Sequence, residues 1–374
     1  MTPRGVALLV PDITARRGME RATTNLANAL AGAGWPVRLI SVFSNGAPAA
    51  YPLTPDVELL HLGLQREVSN NVQRLVKLAH TLRHLAKPTQ TAEVIIAAEG
   101  MLAVNAAILK MQRPWQQVIA WEHLLSELDP PLYRRLRRAF YPMLDAVVVL
   151  NEHERLAFAS WGLKHVVRIP NVTSFPEVQV ADYDQPRAIS VGAHTADRVK
   201  GFDRLIPEAA PVLRTQPQWK IVIVGRDVPG PELEQLATAH GVAEQVERLA
   251  AVSDISAQYR RASFMVMASR HEALPMVILE AKAHGLATLA YDVPHGPREM
   301  ITDGVDGFLV PDGDSVTFAR RFEQLVTGEA LRRQLGEAAA QSAAQYSPQA
   351  IAEQWRPLLQ RSRARTTQRR PGNV

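Results

Sequence analysis

The chain has 374 residues, of which 47% are hydrophobic and 21% are charged, a profile that predicts a soluble globular protein with two domains. It contains no cysteine, which excludes disulfides, thiolate metal sites and a cysteine nucleophile and is compatible with a cytoplasmic location. The formal net charge of +5 arises from six arginines in the last part of the chain, from Arg356 onward, where no acidic residue occurs. Without them the chain carries 36 basic and 37 acidic residues, so binding to nucleic acid is not expected.

Short apolar runs alternate with longer helical segments in the first part of the chain. The apolar runs predict buried strands at residues 5–10, 36–42, 92–98, 116–121 and 145–150. Residues 20–34 and 71–86 show helical periodicity of their apolar side chains, which predicts a helix in each segment. Because strand–helix alternation is typical of parallel sheets covered by helices on both faces, residues 1–170 are predicted to form a doubly wound, Rossmann-like α/β domain.

The alternation stops at residues 169–186, which contain three prolines and no helical period, and we predict a linker at 171–186. It then resumes, and residues 187–345 are predicted to form a second Rossmann-like domain with strands at 187–192, 219–225, 264–268, 287–292 and 307–310. A helix at 346–360 can pack on either domain, including back on the first, and the basic tail 361–374 is predicted to be disordered. Because ligands of such sheets bind at the carboxyl ends of the strands, the expected site is the cleft between the two domains.

The segment SRHEALPMVILEAKAHG contains two glutamates, Glu272 and Glu280, with seven residues between them. It follows an apolar strand, and Pro275 suits the first position of a helix. The backbone amides of Met276 and Val277 would then lie at a helix start, which attracts phosphate. The two carboxylates can accept hydrogen bonds from hydroxyl groups. A diphosphate between two hydroxylated rings, as in a nucleotide sugar, would satisfy all of these groups.

This E-x7-E pattern, followed by AKAHGLATLAYD, resembles the retaining glycosyltransferases of family 4, which adopt the GT-B fold of two Rossmann-like domains facing across a cleft. The resemblance covers nearly the whole chain, since it extends to RRGMERATTNLANALAGAGWPVRLISV, IAWEHLLSE, VVVLNEHERLAF, SVGAHTADRVKGFDRLI and YDVPHGPREMITDGVDGFLVP. The variant ALPM within the motif also occurs in lipopolysaccharide and exopolysaccharide transferases of the family. The resemblance implies an enzyme of cell-envelope polysaccharide biosynthesis that moves a hexose from a nucleotide sugar, with UDP favoured, to a lipid-linked or polysaccharide acceptor.

The resemblance also assigns roles to individual residues, and it implies that the first domain binds the acceptor and the second the donor. His123, Lys200 and Glu272 would act at the reacting centre, and Glu280 would bind the ribose hydroxyls. The implied donor-binding residues are Gly18, Gly192, Arg198, Lys200, Glu272, Met276, Val277 and Glu280. Attack would occur at the front face, with the leaving diphosphate stabilised by Lys200, Arg198 and the helix start at 276–277.

Two of the departures from the family pattern, Ala193 and the variant loop ALPM, keep an alternative open. Ala193 stands where the family usually has an arginine, and Arg198 could supply the missing charge. The alternative is a non-catalytic GT-B subunit that binds a partner transferase. An oxidoreductase is disfavoured, because no G-x-G-x-x-G follows the first strand. No cofactor or metal is expected, and Asp312 and Asp314 in VPDGDS are interpreted as a turn before a helix.

A cluster of arginines in LYRRLRRAFYP predicts a further surface property. Four cations alternate with apolar residues at helical spacing, namely Arg134, Arg135, Arg137 and Arg138 with Leu132, Leu136 and Phe140. The segment 66–87 adds further basic residues. We predict peripheral association with the anionic inner face of the cytoplasmic membrane; a helix face exposed to water is the competing interpretation.

Overall fold

A computed structural model describes residues 5–44, 46–65, 70–178, 181–192, 199–225, 230–252 and 254–368. The chain divides into two compact units. Unit 1 consists of Met1–Val172 together with Pro348–Val374, and unit 2 consists of Thr173–Ser347. Residues 173–186, which the sequence assigns to a linker, therefore belong to unit 2.

Unit 1 contains a seven-stranded sheet in which all neighbouring strands are parallel. Its strands are β1 (Val6–Val10), β2 (Val37–Ser41), β3 (Val57–His61), β4 (Val94–Ala97), β5 (Gln117–Trp121), β6 (Ala146–Val149) and β7 (Val166–Arg168). They lie in the order β3-β2-β1-β4-β5-β6-β7. The helices between them are α1 (Gly18–Gly32), α2 (Asn71–Ala86), α3 (Gly100–Gln112), α4 (Pro131–Phe140) and α5 (Glu152–Ser160). The strands at the centre are buried along their whole length, as expected of a parallel sheet covered on both faces.

Unit 2 contains a six-stranded sheet that is also entirely parallel. Its strands are β8 (Arg187–Val191), β9 (Lys220–Val224), β10 (Val246–Leu249), β11 (Phe264–Met267), β12 (Thr288–Asp292) and β13 (Gly307–Pro311). They lie in the order β10-β9-β8-β11-β12-β13. The helices are α6 (Phe202–Thr215), α7 (Gly230–Ala239), α8 (Ile255–Arg260), α9 (Met276–Ala283), α10 (Ser315–Thr327) and α11 (Glu329–Ala343).

In both sheets the strand order reverses next to the first strand of the unit. β1 pairs with β2 on one side and with β4 on the other, and β8 pairs in the same way with β9 and β11. Such a reversal opens a crevice beyond the carboxyl ends of the two central strands, where ligands of doubly wound sheets bind. The predicted fold class, two Rossmann-like α/β domains, is therefore confirmed.

The motif helix α9 is fixed to its surroundings by a buried ion pair. Lys282 is 1% exposed, and its Nζ lies 2.5 Å from Oδ2 of Asp306 and 2.7 Å from Oγ of Ser342. Burial lowers the pKa of Lys282, while the hydrogen bond with Asp306 opposes that change. A buried lysine is tolerated only with such partners, so this pair anchors α9 within unit 2.

The last helix, α12 (Pro348–Gln368), belongs to unit 1, where it packs on α1. Trp355 is fully buried and meets the ring of Trp121 edge-on at 5.8 Å, and Nε2 of Gln117 donates to the carbonyl of Leu358. The sequence predicts disorder from residue 361, whereas the helix continues to Gln368. Its arginines are good helix formers, and Pro371 is the first residue after Pro357 that opposes a helix. Among the described helices, none is long and apolar enough to cross a membrane.

Gly201 provides a test of how closely the backbone of unit 2 is packed. Its φ is +65°, and a Cβ built on it would lie 1.8 Å from the carbonyl oxygen of Ala268. Gly241 has a similar φ of +68°, but there the nearest atom to a Cβ is 3.9 Å away. We expect Gly241→Ala to cost about 1–2 kcal/mol, the usual penalty of a left-handed alanine. Gly201→Ala should cost at least about twice as much, because it adds a clash with backbone.

Urea denaturation of both variants, followed by a probe in unit 2, measures this difference. The midpoint is the quantity to compare, since a chain of two units need not unfold in one step. Equal midpoints for the two variants would show that the backbone at Ala268 moves away at little cost.

Candidate active site

The strand order of unit 2 brings two predicted segments together. Gly192 directly follows β8 and Lys200 lies just before α6, while Glu272 lies in the loop that follows β11. Because β8 and β11 are parallel neighbours in the sheet, the residues at their carboxyl ends lie at the same edge, beside the reversal of strand order. Residues 72 positions apart in sequence thus become neighbours.

Lys200 and Glu272 are in direct contact. Nζ of Lys200 donates to Oε1 of Glu272 at 2.7 Å, and the side chains are 27% and 10% exposed. A Cβ on Gly192 would lie 2.9 Å from Cγ of Lys200, so the aliphatic part of the lysine side chain passes close to the backbone of Gly192. The arrangement places one cation and one carboxylate together at a partly open edge of unit 2, where they can meet a polar ligand.

Two arginines that the sequence did not single out hold this pair in place. Arg204 on α6 donates to the carbonyl of Ala268 at 2.6 Å, to the carbonyl of Ser269 and to Asp312. Arg270 makes two hydrogen bonds of 2.8 and 2.9 Å to Asp203. The backbone amide of Arg270 also donates to the carbonyl of Val199, next to Lys200. These contacts tie the loop of Glu272 to the start of α6.

The loop after β12 passes close to Glu272. His295 is the one non-glycine residue with positive φ among the described residues, at 74°, and Gly296 follows with a φ of 82°. A Cβ on Gly296 would lie 3.0 Å from Cβ of Glu272 and 3.1 Å from Cδ of Pro275. The glycine therefore allows this loop to pack directly against the motif.

The start of α9 differs by one residue from the prediction. The helix begins at Met276, and Pro275 is the N-cap residue with a φ of −71° rather than the first helical residue. Pro275 itself makes no side-chain capping bond. Met276 is buried and Val277 is partly buried, and both remain predicted diphosphate contacts.

Glu280 lies deeper than the sequence suggests. The residue is fully buried, and its Oε2 accepts a hydrogen bond of 3.0 Å from the hydroxyl of Tyr259. Its predicted contact with ribose therefore requires a ligand to reach a carboxylate that is covered in this structure. Ala193 and Arg198 lie outside the described residues, and the replacement of the family arginine by Arg198 stays a prediction.

In unit 1 the candidates are Gly18 and His123. Gly18 is exposed and is the first residue of α1, whose N-cap residue Arg17 makes no side-chain capping bond. His123 follows β5, and its ring lies 4.1 Å from that of Trp121, tilted by 61°. Nε2 of His123 is buried without a hydrogen-bond partner among the described residues. Burial lowers the pKa of His123 to about 3, so the imidazole is neutral at physiological pH.

The arginine helix α4 is not the surface that its sequence predicts. Arg137 is only 3% exposed and forms an ion pair of 2.7 Å with Glu122, while also contacting Asp129. The hydroxyl of Tyr141 donates to Glu122 as well. Burial opposes the charge of Arg137, but the carboxylates, chiefly Glu122, outweigh it and raise the pKa of the guanidinium.

Two of the three apolar residues named for α4 face inward too, since Leu136 and Phe140 pack against the core of unit 1. The prediction that this helix face docks on a membrane is therefore wrong for Arg137, Leu136 and Phe140. Arg137 thus belongs to a core ion pair, whereas Arg135 and Arg138 are exposed on this helix.

The DGD sequence forms the predicted turn before a helix. Asp314 is the N-cap residue of α10 and accepts a hydrogen bond of 3.0 Å from the amide of Thr317. That backbone hydrogen bond is the main cause of the lowered pKa of Asp314. Within the described residues no three histidine, aspartate or glutamate side chains are grouped closely enough to hold a metal ion.

Comparisons with known proteins divide the chain almost as the structure does. Residues 17–172 match the family model of the glycosyl transferase 4-like domain, and residues 173–342 match that of glycosyl transferases group 1. The amylovoran biosynthesis glycosyltransferase AmsD of Erwinia amylovora is 30% identical over 361 residues, which cover 94% of this chain and 98% of AmsD.

A second relative is named for its lipid-linked substrate. It is the GalNAc-alpha-(1->4)-GalNAc-alpha-(1->3)-diNAcBac-PP-undecaprenol alpha-1,4-N-acetyl-D-galactosaminyltransferase of Campylobacter jejuni, 24% identical over 91% of this chain and 94% of its own length. Among solved structures, Anabaena Alr3699/HepE in complex with UDP and glucose superposes with a TM-score of 0.76 at 18% identity, covering 96% of this chain and 100% of that protein.

The fold and these matches define a glycosyltransferase of the GT-B type. More specifically, the chain belongs to the group 1 glycosyltransferases with a 4-like amino-terminal domain, and its relatives include enzymes named for the biosynthesis of amylovoran and of the lipopolysaccharide core.

The burial of His123 gives a pH prediction. The unfolded chain binds a proton at His123 near pH 6.5, whereas the folded chain binds it only near pH 3. Folding therefore loses stability as the pH falls through that window, and the residue contributes nothing to the pH dependence above it. His123→Phe should remove this loss, so its denaturation midpoint should improve relative to wild type between pH 7.5 and pH 5.

Proton NMR of the imidazole gives the direct measurement, with the resonance assigned by its absence in His123→Phe. We expect its chemical shift to stay constant from pH 8 to pH 4.5. A titration midpoint near pH 6.5 would show that water reaches the ring.

Proposed function

We propose that this chain is a retaining hexosyltransferase that moves a sugar from a UDP-sugar to a lipid-linked or polysaccharide acceptor. The observation that carries the proposal is the contact between Lys200 and Glu272 at the open edge of unit 2, within the part of the chain that matches the group 1 transferases. Two relatives support the finer assignment: HepE was solved with UDP and glucose, and the Campylobacter jejuni relative is named for an undecaprenol-linked substrate.

In this proposal Lys200 stabilises the diphosphate as the bond to the sugar breaks. Its ammonium group is fixed by Glu272, so a diphosphate would meet a cation that is already in place. Glu272 would then turn to hydroxyl groups of the transferred sugar. Arg198 and the start of α9 at Met276 and Val277 would supply further positive potential.

The remaining predicted residues complete the proposal. Glu280 would bind the ribose hydroxyls, Gly18 and Gly192 would allow the diphosphate to approach the backbone, and neutral His123 would hydrogen-bond to the sugar. The acceptor would attack from the face that the diphosphate leaves, and the diphosphate would take its proton. No metal is assigned a role, and activity is expected to persist in EDTA.

Lys200→Met tests the central assignment. Loss of one preorganised charge at a leaving group typically lowers the rate by about 10²–10³. Lys220→Met is the matched control, because Lys220 is an exposed lysine of the same unit at the start of β9. Release of UDP from a panel of UDP-sugars, with and without glycan acceptors, provides the measurement for both variants.

Full activity of Lys200→Met would contradict the assignment of Lys200 as the residue that contacts the leaving diphosphate. If the purified wild-type chain neither binds nor turns over any nucleotide sugar, the alternative of a non-catalytic subunit gains support. A thermal-shift screen separates binding from turnover, since a ligand at 100 times its Kd adds about 2.7 kcal/mol to stability.

A lipid-linked acceptor lies at a membrane, and we propose α2 as the surface that meets it on the cytoplasmic side. Three apolar side chains on this helix are strongly exposed: Val72 at 71%, Leu75 at 47% and Val76 at 63%. Residues 70–87 carry four cations, Arg74, Lys77, Arg83 and Lys87, and no acidic residue. Exposed apolar groups flanked by cations suit an anionic bilayer, because the two attractions act together.

Vesicle co-sedimentation can distinguish α2 from α4 with matched charge changes. Arg83→Ser with Lys87→Ser removes two exposed cations from the α2 region, and Arg135→Ser with Arg138→Ser removes two exposed cations from α4. At about 1 kcal/mol per cation, the first pair should weaken binding to anionic vesicles by roughly 30-fold, and the second pair should have a much smaller effect.

The basic tail is a rival cause of membrane binding. A chain that ends at Gln360 removes the last five arginines but keeps the buried residues Trp355 and Leu359. Our proposal requires this truncated chain to bind the vesicles still. Loss of binding on truncation, with the α2 variant unaffected, would assign the attraction to the tail.

A further inference from the structure

Two side-chain contacts join the short helix α8 to the motif helix α9. The hydroxyl of Tyr259 donates to Oε2 of Glu280 at 3.0 Å. One turn earlier on α8, Oγ of Ser256 lies 2.7 Å from Nε2 of His284, the residue that follows α9. All four side chains lie in the interior: Tyr259, Glu280 and His284 are fully buried and Ser256 is 7% exposed. Polar groups at such depth persist only when their hydrogen bonds are made, so these contacts have fixed geometry.

His284 fixes the ring of Tyr259. The two rings stack at 5.0 Å with an angle of 28°, and the ring of Phe175 meets the imidazole edge-on at 4.6 Å. Nδ1 of His284 lies 2.7 Å from the carbonyl oxygen of Glu280, and because a carbonyl only accepts, this nitrogen carries the proton. Nε2 then accepts from Ser256, whose oxygen in turn accepts from Arg260 at 2.8 Å. The phenol ring therefore packs on an imidazole that is itself hydrogen-bonded to the backbone of Glu280.

We propose that Tyr259 is a positioning residue for Glu280: its hydroxyl holds one carboxylate oxygen, and this sets the orientation in which the carboxylate meets the two ribose hydroxyls of the donor. The inference rests on the proposed function, in which Glu280 binds ribose. It adds that recognition of the ribose depends on α8, an element outside the E-x7-E motif. A diol needs its acceptor oriented within a narrow angular range, because hydrogen bonds weaken steeply away from linearity.

The experiment compares UDP with 2′,3′-dideoxy-UDP, which lacks both hydroxyls, by isothermal titration calorimetry. The ratio of the two Kd values is the ribose preference, and a general loss of structure would change both constants alike. Wild type should prefer UDP by at least about tenfold, and Glu280→Ala should abolish that preference. Tyr259→Phe, which removes only the hydroxyl, should reduce the preference by about three- to tenfold and leave the Kd of the dideoxy nucleotide unchanged.

Tyr291→Phe is the matched control. Tyr291 is also fully buried in unit 2, where it stacks on Phe318 at 4.5 Å, and it contacts neither Glu280 nor α8 in the described contacts. Its variant should keep the wild-type preference. A double variant, Tyr259→Phe with Glu280→Ala, should have the same preference as Glu280→Ala alone, because a positioning residue has no effect once the group it positions is gone.

The outcomes separate the two proposals. If Glu280→Ala abolishes the preference and Tyr259→Phe retains it, the role of Tyr259 is wrong while that of Glu280 stands. If Tyr259→Phe weakens both nucleotides equally, its hydroxyl is structural and the inference also fails. If wild type shows no preference, or Glu280→Ala keeps it, the ribose contact itself is wrong and the inference falls with it.

Discussion

The contact between Lys200 and Glu272 depends on how closely two backbone segments approach each other at the edge of unit 2. The strand order brings the carboxyl ends of β8 and β11 side by side, and the absence of a side chain at Gly201 lets α6 start against the carbonyl of Ala268. Arg204 and Arg270 then bind the two segments to each other. The charges of the candidate site are thus positioned by a backbone constraint, and most of the surrounding polar contacts serve to maintain it.

The fold was largely predictable because the central strands are buried on both faces, which produces continuous apolar runs. The strands missing from the prediction, β3, β7 and β10, lie at edges of the sheets. They are only partly buried, so sequences such as VELLH, VVR and VERL carry charges and no clear apolar run. The apolar runs from which strands are predicted arise from burial, and burial is incomplete at the edge strands of a sheet.

The candidate site was predictable only in part, since a motif identifies residues that are near one another in sequence. Lys200 and Glu272 could each be named from the local motif that contains it, and the structure brings the two motifs together. Tyr259 and Arg204 could not, because each acts through a partner on another element. The same limitation explains the error at α4: the alternation of arginines with apolar residues is visible in the sequence, whereas the pairing of Arg137 with Glu122 exists only after folding.

The course of the chain through its two units has a consequence for synthesis. Unit 2 occupies Thr173–Ser347 and therefore lies, in sequence, inside unit 1, whose last helix contributes Trp355 against Trp121. A ribosome completes the sheet of unit 1 long before it makes α12, and at about 5–20 residues per second the interval is roughly 10–40 seconds. Throughout that time the faces of Trp121 and α1 that α12 will cover remain open to water and to other chains. Unit 2 can fold as soon as it has been synthesised. Unit 1, whose synthesis begins first, is therefore the unit that completes its fold last.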